Sequence, residues 1–159
     1  MEKFKDYRPN VAAIVLSWEY PHKKRFLLAR RKGIKRSWQF PQGGINKGEE
    51  PLQALLRELK EEIGTDEVEI LGEYPEWITY DFPKGSNIKR EVYPFRGQRQ
   101  KYFLVKLKKD ANIDLNSYDK PEFEEYIFVD EDELFKKVTF MKRNVYKKVY
   151  DYFKEKGLL

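Results

Sequence analysis

The sequence predicts an α+β fold, and two observations lead to it. Short runs rich in Val, Ile, Leu, Phe and Tyr recur along the chain, separated by turn residues, as strands do. A strongly amphipathic helical segment interrupts them early and a second closes the chain, so helices and strands are interspersed. The 159 residues fit one domain spanning residues 1–159. With 40% hydrophobic and 16% aromatic residues, the chain can fill an interior despite 37% charged residues.

Taken in order, residues 10–16 and 25–29 read as strands joined by a polar, hairpin-like loop over 19–24. Residues 37–40 form a short strand, stopped by Pro41 and the Gly43 and Gly44 pair, which reads as a turn. Residues 51–63 are the clearest helix. Pro51 suits its first turn, Glu49 and Glu50 suit its positive end, and Gly64 ends it. Leu52, Leu55, Leu56, Leu59 and Ile63 make one apolar stripe at helical spacing. Strands follow at 68–74, 77–81, 101–107 and 124–129. Between two of them, residues 82–98 form a long loop holding Pro83, Gly85, Pro94 and Gly97. Residues 138–156 should be mostly a C-terminal helix, with Val145, Val149 and Phe153 at i, i+4 and i+8.

Several functions are excluded by what the chain lacks. With no cysteine there is no disulfide, thiolate metal site or thiol nucleophile. The charged first residues have no apolar segment behind them, so they do not read as a signal peptide. The longest apolar run, residues 11–16, is far too short to span a membrane, and a soluble cytoplasmic protein is expected. A net charge of +5 favours anionic partners such as nucleotides or RNA. His22, the sole histidine, lies among lysines and should be exposed and not catalytic. Trp18, Trp38 and Trp77 are best explained as sheet packing.

The chemistry concentrates in one segment. On the 51–63 helix, Glu58, Glu61 and Glu62 fall within roughly a 100° arc beside the leucine stripe. Three carboxylates so close repel one another unless a multivalent cation sits among them. Oxygen-rich clusters suit magnesium or manganese, whereas zinc prefers His and Cys. Gly43 lets the backbone approach a ligand closely and could add a carbonyl to the metal shell. A bare acidic helix face balanced by Arg57 and Lys60 would be only solvated surface. The wider pattern decides against that.

Gly43, Glu49, Arg57, Glu58, Leu59, Glu61, Glu62 and Gly64 stand in the register of the Nudix box, and the segment resembles it closely. Thr65 replaces the final aliphatic residue, a change that touches packing more than chemistry. Seven fixed identities at about one in fifteen each would coincide by chance about once in 10⁸ windows. The resemblance implies the Nudix fold, a mixed central sheet flanked by helices. It also implies metal-dependent hydrolysis of a nucleoside diphosphate linked to another group, with magnesium as cofactor and manganese as a possible substitute. Glu58, Glu61 and Glu62 would be metal ligands and Arg57 would act beside them. Arg57 and Glu49 would brace the loop against the helix, between Gly43 and Gly64. Substitution at phosphorus by a metal-activated water is implied, with Glu58 or Glu62 as the base.

Further segments extend the likeness over most of the chain. They are residues 7–11, 29–31, 37–46, 97–103, 121–123 and 142–146. Together they are similar to the bacterial branch of RNA pyrophosphohydrolases and dinucleoside polyphosphate hydrolases. By that resemblance Glu122 would be a further metal ligand. Arg8, Arg31, Ser37, Lys142 and Arg143 would line the path of an RNA 5′ end, and Tyr80 and Lys101 would be lesser polyphosphate contacts. The substrates implied are 5′-triphosphorylated or diphosphorylated RNA, or dinucleoside polyphosphates; DNA is not expected. One departure stands out. The family has a phenylalanine before its Lys-Arg pair, where it can stack on a base. This chain has Met141 there and Phe140 one residue earlier, so either Phe140 takes over through a local shift or base preference is relaxed. A catalytically silent binding module would be expected to lose a box carboxylate, and all three are present.

Overall fold

The computed structural model describes residues 6–82 and 95–159. Its elements in order are β1 (Tyr7–Leu16), β2 (Arg25–Arg31), β3 (Trp38–Gln39), β4 (Gln42–Gly44), α1 (Pro51–Ile63), β5 (Val68–Glu73) and β6 (Ile78–Asp81). They continue with β7 (Gly97–Leu107), β8 (Phe123–Asp130), α2 (Glu131–Lys137) and α3 (Phe140–Glu155). All eight strands form one mixed sheet. Its main path runs β3-β2-β1-β7-β5, with β4 paired to β1, β6 to β7 and β8 to β2. Only β1 and β7 run parallel, in register from Tyr7 opposite Gly97 to Leu16 opposite Lys106.

Alternation along β1 divides the interior. Ala12, Ile14 and Leu16 face one layer with Phe26, Leu28, Tyr102 and Leu104, covered by Tyr146, Val149 and Phe153 of α3. Val11, Ala13 and Val15 face the other with Leu27, Phe103 and Val105, covered by Leu55, Leu59 and Ile63 of α1. Two helices thus sit on opposite faces, and the sheet between them is dry on both sides.

Several expectations are corrected here. The Gly43 and Gly44 segment is not a turn but strand β4, hydrogen-bonded edge-on to β1 from Asn10 opposite Gly44 to Ala12 opposite Gln42. The helix expected over 138–156 is preceded by a separate one, α2. Asp130 caps α2 by accepting from the Glu133 N–H at 3.0 Å, and its acidic first turn and basic last turn suit the helix dipole. Leu52, in the first turn of α1, is exposed, so the buried stripe is Ala54, Leu55, Leu59 and Ile63. Trp18 is half exposed, with the Lys109 ammonium 6.0 Å from the centre of its ring. The long loop expected over 82–98 falls mostly outside the described residues. Among the described residues, no helix is long and apolar enough to cross a membrane.

Candidate active site

Arg57 ties α1 to the chain that leads into it. Its Nε and Nη2 donate to the two Glu49 carboxylate oxygens at 2.7 and 2.9 Å, and Nη2 also donates to the Gly44 carbonyl at 2.8 Å. Glu49 accepts the Asn46 N–H at 2.8 Å as well. The guanidinium, foremost among these contacts, holds the Glu49 carboxyl below its usual range. From the other side of its fork, Arg57 Nη1 donates to Glu58 at 2.8 Å and to Glu61 at 3.4 Å.

Glu62 is only 3% exposed. Its Oε1 accepts the Gln42 N–H at 2.9 Å, while Oε2 is buried with no hydrogen-bond partner among the described residues. Glu122, just ahead of β8, faces it. Burial first, then Glu122, push the Glu62 carboxyl well above its ordinary range. Burial, with Glu61 and Glu122 adding and Arg57 opposing, pushes Glu58 up to about 7.

Two features bear on whether these residues suit a divalent cation. A Cβ on Gly43 would lie 2.0 Å from the Glu58 carboxyl carbon, so this glycine gives the carboxylate its place against the backbone. The unpartnered Glu62 oxygen, on a carboxylate that faces Glu58 and Glu122, is an acceptor without a donor among the described residues. A cradle of like charges with a spare oxygen fits a hard cation. As they stand, no three acidic or imidazole side chains among the described residues are arranged to hold an ion, and Arg57 bonds both Glu58 and Glu61.

Gln42 joins these carboxylates to a pocket. Its backbone holds Glu62, while its side-chain oxygen accepts from Lys142 Nζ and, at 3.1 Å, from Gln100 Nε2. Gln100 also donates to Asn10 at 2.9 Å and accepts from the Tyr102 hydroxyl at 2.8 Å. The pocket, of about 230 Å³, is lined by Arg31, Ser37, Tyr80, Gln100, Met141 and Lys142 among others. Lys142 is half-buried, but its ammonium lies at the enclosed end. Burial, then the neighbouring Arg31, bring it down to about 7, against the pull of Glu62 and Glu122. Gln42, Gln100 and Asn10 are missing from the set expected from sequence. A signal existed: Gln98 and Gln100 alternate with Tyr102 and Leu104 on a strand face otherwise apolar.

The remaining candidates are placed as follows. Ser37 accepts the Arg31 N–H at 2.7 Å and donates to the Ile34 carbonyl at 2.8 Å, bracing the loop between β2 and β3. Tyr80 is half-buried and its hydroxyl donates to Gln98 at 2.6 Å. Met141 lines the pocket; Phe140, 81% exposed, does not. The Arg143 guanidinium stands 5.7 Å from the centre of the Phe140 ring, with its Nε buried and unpartnered among the described residues. Arg8 lies over Gly44, where a Cβ would fall 2.4 Å from its Nη2. Lys101 is not brought to the pocket. Gln100 and Tyr102 face it, so alternation turns Lys101 to the opposite side, where Nζ meets the Pro75 carbonyl at 3.1 Å and Glu73 at 3.4 Å.

A sheet between two helices, with a glutamate-rich helix beside a basic pocket, defines a hydrolase scaffold for phosphorylated substrates. The chain belongs to the Nudix family: the NUDIX domain model matches residues 6–153. Over the full length of both chains it is 60% identical to an RNA pyrophosphohydrolase of a Sulfurovum species. It is 62% identical to one from a Nitratiruptor species, over 99% of each chain. An Ap4A hydrolase from C. elegans shares the fold at a TM-score of 0.66 and 19% identity, over 93% of this chain and 98% of that one.

Proposed function

We propose that this chain is a cytoplasmic, magnesium-dependent RNA pyrophosphohydrolase that removes pyrophosphate or phosphate from the 5′-triphosphate end of RNA and so opens the transcript to decay. The observation that carries the substrate is identity of about 60% over the whole chain to relatives of that name. Likeness to the Ap4A hydrolase, at 19% identity, speaks for fold and leaves diadenosine polyphosphates as an arm of the test.

In this reading Glu58, Glu61, Glu62 and Glu122 hold the cation, with the Gly43 carbonyl beside them. A divalent cation bound there would supply a polarised water and positive charge against the polyphosphate. The chain's own residues do the rest. Arg57 fixes the helix against the Gly44 carbonyl and Glu49, so the carboxylates are held in one register. Glu62 or Glu58 takes the proton of the attacking water. Lys142 and Arg31, at the pocket wall, attract the phosphates of the leaving group, and Met141 packs on the first bases.

The experiment is release of phosphate and pyrophosphate from 5′-triphosphorylated RNA with magnesium, comparing wild type with Glu61→Gln. Release that falls about 100-fold or more in a folded variant supports the reading. No release from RNA, with turnover of diadenosine tetraphosphate, would move the substrate. Silence on both would overturn the enzyme.

A further inference from the structure

The loop between β2 and β3 and the start of α3 together frame the mouth of the pocket. Ile34 and Met141 line it and are 52% and 60% exposed, so both stand at its rim. Phe140 projects beside Met141, with the Arg143 guanidinium 5.7 Å from the centre of its ring. The loop also carries an excess of cations. Arg30, Arg31, Lys32, Lys35 and Arg36 fall within seven residues, and the carboxylates facing them from β8 are Glu124 and Glu125. Arg30 engages both. Lys32 lies near Glu124, while Lys35 and Arg36 make no ion pair among the described residues.

An apolar, partly aromatic rim alternating with exposed cations has the chemistry of single-stranded nucleic acid, whose bases stack and whose phosphates need counter-charge. We infer that the rim formed by Lys32, Ile34, Lys35 and Phe140 is a track for the unpaired RNA downstream of the 5′ end, gripping the nucleotides that lie outside the pocket. The inference rests on the RNA reading above and deepens it. The loop is braced in place, since Ser37 closes it at both ends and the Gly33 N–H donates to Glu124 at 3.1 Å, pinning its tip to β8.

Two substrates separate the track from the site: a 5′-triphosphorylated RNA of about ten unpaired nucleotides, and a 5′-triphosphorylated dinucleotide, which has nothing downstream of its second nucleotide. The variant is Lys32→Gln with Lys35→Gln, two exposed residues that do not line the pocket. On the long RNA at low salt, kcat/KM should fall about five- to tenfold, mainly through KM. The log–log slope against salt should become shallower by about 1.4, as two lost single-strand phosphate contacts require. On the dinucleotide the variant should match wild type. Phe140→Ala should weaken the long RNA by a factor that salt does not erase, because stacking releases no counterions. Equal rates of wild type and the lysine variant on the long RNA would overturn the track and leave the RNA activity standing. Equal losses on both substrates would also overturn it, by assigning the lysines to the site. A wild type silent on both RNAs would overturn the track together with the RNA reading.

Discussion

At Glu62, burial and the facing carboxyl of Glu122 both oppose the charge that a metal ligand must carry. The fold tolerates this only because the position has another use. Glu62→Gln should therefore separate stability from activity. The amide oxygen keeps the bond from the Gln42 N–H, and its nitrogen gains Glu122 as acceptor. The metal-free variant should be more stable by about 1 kcal/mol in urea titration, since an unpaired buried acceptor costs about that much. Its turnover should drop about 100-fold or more. A variant that is both less stable and fully active would sink the assignment. Met141 makes a second case at this scale. It, and not Phe140, forms pocket wall, and on the proposed RNA reading the base preference that a stacking ring would set is relaxed. Met141→Phe should lower KM for RNA about fivefold with little change in kcat, worth about 1 kcal/mol of the stacking a ring provides. Steady-state kinetics would show it, and an unchanged KM would mean the base does not rest there.

At the scale of elements, α1 shows how much a local pattern can specify. Its Pro51 start, its Gly64 end and the Leu55, Leu59 and Ile63 part of its apolar stripe were legible, and Gly64 is required twice over. It has φ 80°, and a Cβ there would sit 2.4 Å from the Asp114 carbonyl oxygen. Gly64→Ala should cost at least about 2 kcal/mol, read as a lower denaturation midpoint at unchanged slope. α2 was not legible by periodicity, because only Leu134 of its seven residues is buried; its signal was the Asp130 cap and the charge gradient. β4 was hidden because paired glycines look like a turn, and only pairing with β1, some thirty residues earlier, makes them a strand. The seam between α2 and α3 carries its own prediction. Glu131 accepts from the Tyr150 hydroxyl and, at 2.9 Å, from Lys154 Nζ; these two, Tyr150 first, hold its carboxyl below the ordinary value of 4.5. A depressed carboxyl stabilises the fold above its unfolded value and ceases to do so as pH falls through the folded one. Glu131→Gln should therefore cost about 0.5 kcal/mol at pH 7, a figure kept small by solvent screening, and nothing well below pH 4. An equal cost at both values would mean packing, not charge, is what is lost.

On the scale of the whole molecule, the box was readable because it is contiguous, and Arg31, Ser37, Tyr80, Met141 and Lys142 of the pocket were named through the family resemblance, whereas the Gln42, Gln100 and Asn10 network behind them was missed because it is assembled from afar. Lys142 meets Gln42 across a hundred residues, and Gln100 meets Asn10 across ninety. No window of sequence contains both members of either pair. The Lys101 side chain turns away for the same reason: strand register, not local composition, decides which face it takes. This assembly has a mechanical consequence. α1 packs on one face of the sheet and α3 on the other, and Gln42 bonds Glu62 on the first and Lys142 on the second. A cation that draws Glu58 and Glu62 together would therefore tighten a link between both layers, not one helix alone. Binding to the folded state only stabilises by RT ln(1 + [L]/Kd), about 1.4 kcal/mol at tenfold excess over Kd. For a chain of 159 residues that is a rise in Tm of about 3–6 °C with magnesium or manganese, reversed by chelator. In Glu58→Gln combined with Glu62→Gln the rise should vanish while the metal-free Tm increases. Thermal melts with and without cation measure both, and a cation-induced shift that survives the double substitution would place the ion elsewhere in the molecule.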